Sequence, residues 1–260
     1  KKGKHNDALE KMFTAIEGHA APIVKQLHDG KTSLTSREKA DLGMFIAALY
    51  LRGPDYYRRI GDMSEQLSKE TMSRSAMFEP HFQRSIDSVE KKYGTRISPE
   101  ERKKIQKMIV DKQYDLKFPK EHWLKMMMLS LKDTYDIIFQ MEWVIFKPPK
   151  DKAFITSDNP AYTFNVKPEG FWGSGIGFLA PNCESTAILT PQVAIFLSQK
   201  HSPNVVRFID ISNDLVKNIN FRTAICSTRF AVSHSEALLK RIIKKTHLDK
   251  RRPYAKVKVG

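Results

Sequence analysis

Apolar residues recur at steps of three and four through roughly the first 140 positions, and that spacing reads as a series of amphipathic helices. Leu9, Met12, Phe13, Ile16, Ala20, Ile23, Val24 and Leu27 form one stripe over 6–29, with Asn6 or Asp7 placed to cap it, Pro22 to kink it and Gly30 to follow its end. Thr35 and Glu38 have the spacing of a capping box, and Leu42, Phe45, Ile46 and Leu49 follow on one face as far as Gly53-Pro54. Pro54 suits the first turn of a further helix running towards Ser73. A weaker polar helix is predicted over 79–93, another after Ser98-Pro99-Glu100-Glu101, and a longer one from Pro119 through Trp123, Met127, Leu131, Tyr135 and Ile138.

The texture changes at Glu142. The run Trp143-Val144-Ile145-Phe146 reads as a strand, Pro148-Pro149 as a rigid connector, and further strands are predicted at 153–157, 186–190, 193–198, 205–209 and 229–233. A helix capped by Ser212 and another from Ser235 to Lys245 come late. The pattern predicts an α+β protein: an N-terminal helical half followed by a small mixed β-sheet half with two late helices. As regions, 1–148 is helical, 149–245 is a mixed sheet with the late helices, and 246–260 is a basic tail. The alternative is one interleaved domain whose sheet is covered by the first helices, a reading that Trp143 and Ile145 favour.

Charge alters this picture more than composition does. Hydrophobic content of 41% and charged content of 28% are ordinary, but the net charge of +15 and pI near 9.7 favour an anionic partner. Between Lys240 and Lys258 nine Lys or Arg face one acid, Asp249. Nucleic acid is the expected partner, RNA ahead of DNA, with Lys244, Lys245, Arg251 and Arg252 as contacts and Arg102-Lys103-Lys104 as a second cluster. An acidic protein partner is the alternative. No run of eighteen apolar residues exists, so no membrane span is expected. Cys183 and Cys226 form no motif and read as reduced thiols, which points to the cytoplasm. No signal peptide is visible, and because the chain starts at Lys1 rather than Met an upstream segment is expected.

Few motifs suggest chemistry. The glycines of "GFWGSGIGF" (170–178) follow no strand and open no helix, so a flap is a better reading than a nucleotide cradle. No histidine has zinc-ligand spacing, and Met126-Met127-Met128 reads as packing. Two places stand out. Glu17 lies at the edge of the first apolar stripe, where it either pairs with Arg52 or sits in a cleft. Ser157-Asp158-Asn159-Pro160 ends an apolar strand, either as a turn or as polar atoms held on a rigid element, with Tyr162, Phe164, Phe171 and Trp172 nearby as stacking surface.

The segments "LEKMFTAIEGHAAPIVKQL", "LTSREKADLGMFIAALYLRGPDY", "FITSDNP" and "VKNINFRTA" together resemble the bacterial and phage-borne family catalogued as domain of unknown function 4238. The resemblance covers residues 8 to about 232. Its recurring features fall on Glu17, Arg52, Pro54, Ser157, Asp158, Asn159, Pro160 and Asn220, and the His-Tyr-Val-Pro-type opening usual in the family is absent. It implies no activity, but it marks the SDNP corner as a signature. The expected site therefore has Glu17, Asp158 and Asn159 as catalytic residues, Arg52 holding Glu17, and Asn220 completing a polar cluster. Glu17 and Asp158 would hold Mg²⁺ or Mn²⁺ in a nuclease with a defence or toxin role. If the corner is only a turn, Asp158 contributes stability and no chemistry.

Overall fold

The computed structural model describes residues 8–166, 177–180 and 182–246, together with the backbone of 258–259. The helices are α1 (Ala8–His28), α2 (Ser36–Arg52), α3 (Pro54–Met77), α4 (Glu79–Tyr93), α5 (Pro99–Val110), α6 (Lys120–Gln140), α7 (Asn213–Cys226) and α8 (Glu236–Thr246). The strands are β1 (Met141–Lys147), β2 (Thr156–Ser157), β3 (Ala161–Asn165), β4 (Cys183–Thr190), β5 (Val193–His201), β6 (Val206–Asp210), β7 (Ala231–Ser233) and β8 (Lys258–Val259). The fold is α+β, with most helices before a mixed sheet and two after its main strands. Capping chemistry sets several boundaries. Thr35 and Ser98 each close a capping box with the glutamate three residues on, and Ser212 accepts the Leu215 N–H. Gly94 ends α4 in the left-handed conformation, and Pro22 is held within α1. The proposed Asn6 or Asp7 cap lies outside the described residues.

Two compact units divide the chain, and they do not part at 148. One comprises residues 1–56 and 125–260, the other 57–124. In the first, the sheet order is β3-β4-β5-β1-β6, antiparallel except for the β1–β6 pair. Two departures from the predicted strands appear. Residues 153–155 lie outside any strand, and β3 pairs along the whole of Cys183–Ala187.

Successive residues of a strand face opposite sides, so the sheet of this unit has two distinct faces. On one, Trp143 and Ile145 are fully buried and Gly43 of α2 lies against Trp143. Helix α2 thus lies on this face and belongs to the same unit as the sheet, whereas residues 57–124 form a unit of their own. On the other, Tyr162, Ile188 and Ala194 pack with Phe154, Ile211, Val216 and Ile219, which brings α7 onto the sheet. Tyr162 is buried and its hydroxyl meets Thr223 at 3.1 Å, so it offers no stacking surface; Phe164 is half-buried beneath the Arg222 guanidinium. Ile155, Ala224, Ala231, Leu239 and Ile242 form a further cluster that seats α8. Beside it is a second sheet, β2-β7-β8, in which β8 runs parallel to β7.

The unit formed by 57–124 has its own small core of Ala76, Phe82 and Ile86, with Ile97, Ile105 and Ile109 against it. Arg102 pairs there with Asp87 (2.9 Å) and Glu90 (3.0 Å). That commitment removes it from the expected Arg102-Lys103-Lys104 cluster. Among the described residues no helix is long and apolar enough to cross a membrane.

Lys39 of α2 is buried, at 3% exposure, against the start of β1. Its Nζ donates to the carbonyls of Met141 (3.0 Å) and Pro203 (2.5 Å) and lies over the Phe139 and Trp143 rings. Burial lowers its pKa from 10.5 to about 8. Between those values the unfolded chain holds the extra proton, so stability rises with pH through the window and the full penalty applies below it. The difference corresponds to roughly 3 kcal/mol. Urea unfolding of the wild type, compared with Lys39→Met, is expected to show a stability gain from pH 8 to 10 that the variant lacks. Parallel pH profiles would show instead that the two carbonyls and the aromatic faces keep the ammonium charged.

Candidate functional site

The SDNP corner is built inward. Ser157 Oγ accepts the Asn159 N–H and donates to the Asn159 carbonyl, both at 3.1 Å, which closes the turn on itself. The Asp158 side chain is only 2% exposed. Its two oxygens accept the N–H groups of Thr228 (2.9 Å) and Arg229 (2.8 Å), with Arg229 Nε at 3.3 Å, and so fasten the link between α7 and β7. Asn159 Oδ1 accepts the Asp55 N–H at 3.1 Å, in the first turn of α3. Its Nδ2 donates to the Cys226 carbonyl (2.8 Å) and to Thr228 Oγ1 (3.0 Å) at the end of α7. One buried amide therefore satisfies orphan groups at the start of one helix and the end of another. Asn220 does the same for the irregular segment before β2, accepting the Ile155 N–H and donating to the Ala153 carbonyl, each at 2.9 Å.

Gly53 shows how tightly this knot is closed. Its φ of −64° suits any residue, yet a Cβ there would lie 2.6 Å from Asn159 Oδ1 and 3.2 Å from the Tyr50 carbonyl. Gly53→Ala is expected to break the Asn159–Asp55 bond and cost about 1–3 kcal/mol. An unchanged melting temperature would show that the knot yields without loss.

Glu17 and Arg52 form an ion pair at 2.6 Å, both half-exposed, with the Arg52 guanidinium over the Phe13 ring. A pair this open contributes at most about 1 kcal/mol. The two expected metal-ligating carboxylates thus have separate commitments, Glu17 to a guanidinium and Asp158 to backbone N–H groups. Among the described residues no three His, Cys, Asp or Glu gather as a metal-binding group. These bonds tie the corner to the start of α3 and to the link between α7 and β7.

A different feature can receive a ligand. Asn213, Val216, Lys217, Asn220 and Phe221 lie along one face of α7, and Leu238, Arg241, Ile242 and Lys245 along one face of α8. With Asp151–Ala153, His234 and Ser235 they enclose a cleft of about 510 Å³. Val216, Asn220 and Ile242 are its buried floor; Lys217, Arg241, Lys245 and His234 are its exposed rim. Lys152 pairs with Asp151, and Lys217 with Asp214 at 2.8 Å. Among the described residues Arg241 and Lys245 meet no carboxylate, and Lys245 Nζ lies 5.3 Å from the centre of the Phe221 ring. The walls therefore combine apolar surface, one half-buried aromatic ring and four basic side chains against one acid.

A family model described as protein of unknown function (DUF4238) matches residues 1–237. The chain belongs to that family. The DUF4238 match takes in the SDNP knot, the Glu17–Arg52 pair, Asn220 and the α7 wall of the cleft. It stops in the first turn of α8, so Arg241 and Lys245 lie beyond it. No curated protein and no solved structure matches the chain.

Of the expected contacts, Asn220 and Lys245 meet at the cleft, and Lys244 is exposed on α8 without lining it. Arg251, Arg252, Phe171, Trp172 and most of the glycine loop lie outside the described residues. Lys152, Lys217, Phe221, His234 and Arg241 were not singled out by sequence. The three-and-four spacing along α7 and α8 was the available signal, but it reads equally as a solvated helix edge.

Proposed function

We propose that the protein binds single-stranded nucleic acid, RNA ahead of DNA, through the basic rim of the α7–α8 cleft. The observation that carries this reading is the pair Arg241 and Lys245, one turn apart on α8 beside an open cleft and free of carboxylate partners among the described residues. A net charge of +15 supplies the long-range attraction that brings a polyanion to this rim. The polar side chains of Asn213, His234 and Ser235 at the cleft can serve a ribose 2′-hydroxyl, which donates and accepts.

Titration of short single-stranded RNA and DNA over a range of salt concentrations tests the reading, because phosphate contacts release counterions and make affinity fall as salt rises. Salt-insensitive binding, or equal competition by polyanions that lack a sugar-phosphate backbone, such as polyglutamate, would favour the acidic-partner alternative. The same titrations run with Mg²⁺ or Mn²⁺ test cleavage. With Asp158 engaged as it is, intact strands are expected from both wild type and Asp158→Ala. Cleavage lost only in a folded Asp158→Ala would return the corner to a catalytic role.

A further inference from the structure

We infer that the α7–α8 cleft admits one unpaired base, stacked on Phe221, while the flanking phosphates lie against Arg241 and Lys245. This rests on the nucleic-acid reading above and specifies what the site recognises.

A smooth basic surface would need no cavity to hold phosphates, and this surface has one. At about 510 Å³ it falls within the usual range for small-ligand sites, roughly 300–1,000 Å³. A paired duplex keeps its base faces stacked internally, so only a splayed base can enter such a space. Its lining also suits a base better than a bare anion. Val216, Leu238 and Ile242 are apolar, and Phe221 stands among them, half-buried. The face of its ring is approached by Lys245 Nζ. An aromatic face beside cations is the pairing that single-strand binders use, because every base has a π-face while every link has a phosphate.

The floor adds hydrogen-bonding capacity. Asn220 spends one N–H on Ala153 and one lone pair on Ile155, which leaves its amide a second N–H and a second lone pair. Lys245 links the two halves of the site. In the free protein its ammonium rests against Phe221. An entering base takes over that ring face, and the flexible ammonium, whether or not the ring is stacked, meets a phosphate next to Arg241, its neighbour at i, i+4 on the helix.

The test uses the full chain and a short single-stranded RNA carrying 2-aminopurine, with a strand of the same length that lacks bases as the second probe. Binding is expected to quench the 2-aminopurine, and Phe221→Leu to weaken the base-bearing strand about tenfold or more while leaving its salt slope unchanged. The abasic strand should bind wild type and Phe221→Leu alike. Phe221→Tyr keeps the ring and should restore affinity and quenching, which separates stacking from damage to the fold. Equal affinity of Phe221→Leu and wild type for the base-bearing strand, with salt dependence intact, would overturn the base pocket and leave the nucleic-acid reading standing. So would equal wild-type affinity for the intact and abasic strands. Absence of salt-dependent binding to either strand would overturn both. Preferential binding to phosphatidylglycerol vesicles over both strands would also overturn both, and would assign the cleft to a lipid headgroup.

Discussion

Asn159→Ala is expected to destabilise the sheet-bearing unit by about 3–4 kcal/mol and lower its melting temperature by roughly 10 °C. The size follows from what the side chain leaves behind. The Asp55 N–H, the Cys226 carbonyl and the Thr228 hydroxyl all lose their bond to the Asn159 amide, a side chain on a residue only 2% exposed. Each buried group left unpaired costs about 1–3 kcal/mol, and partial access of water to the vacated space offsets some of the sum. Glu17→Gln is the natural contrast. It removes a half-exposed ion pair and should cost less than about 1 kcal/mol. Similar melting temperatures for the two variants would refute the structural assignment of the corner.

The second large effect is expected at the cleft rim. Replacing Lys217, Arg241 and Lys245 together by Ala should weaken single-stranded RNA binding about 100-fold at low salt and reduce the logarithmic salt slope by about 2, since each lost phosphate contact removes about 0.7 of a counterion. Lys240→Ala serves as the control, because Lys240 pairs with Glu236 and does not line the cleft. A triple variant with the wild-type slope would move the interface away from α7 and α8. Circular dichroism should show no loss of helix, because all three side chains are exposed on the helix surface.

Local chemistry made the helices legible in the sequence. Thr35 with Glu38, Ser98 with Glu101 and Ser212 all cap where spacing placed them, because a cap and its helix lie within four residues of each other. The role of Asn159 was not legible, since its partners stand at 55, 226 and 228 and no local pattern joins them. Nor was Lys39, which reads as one more cation in "TSREKADL" and lies inside only because two distant carbonyls converge on it. Strand β3 is masked in the sequence because Asn159-Pro160 signals a break, although pairing begins one residue later at Ala161. The cleft needs α7 and α8 side by side, and periodicity describes each helix without its neighbour.

Tyr56 and Ser130 share a hydrogen bond of 3.0 Å between their hydroxyls, and both belong to the sheet-bearing unit. The chain leaves that unit just after Tyr56 and rejoins it at Lys125, and this bond ties the first turn of α3, at the exit, to α6 a little over one turn past the return. Residues 57–124 therefore have the character of a cassette inserted in a host domain. Each part has its own apolar cluster to draw on. Excising 57–124 and joining Tyr56 to Lys125 through a short Gly-Ser linker should leave a protein that melts cooperatively and still shows the alkaline stability gain of Lys39. The host's evolution and the cassette's would then be separable, with one free to change its loops or its partners while the other keeps its core.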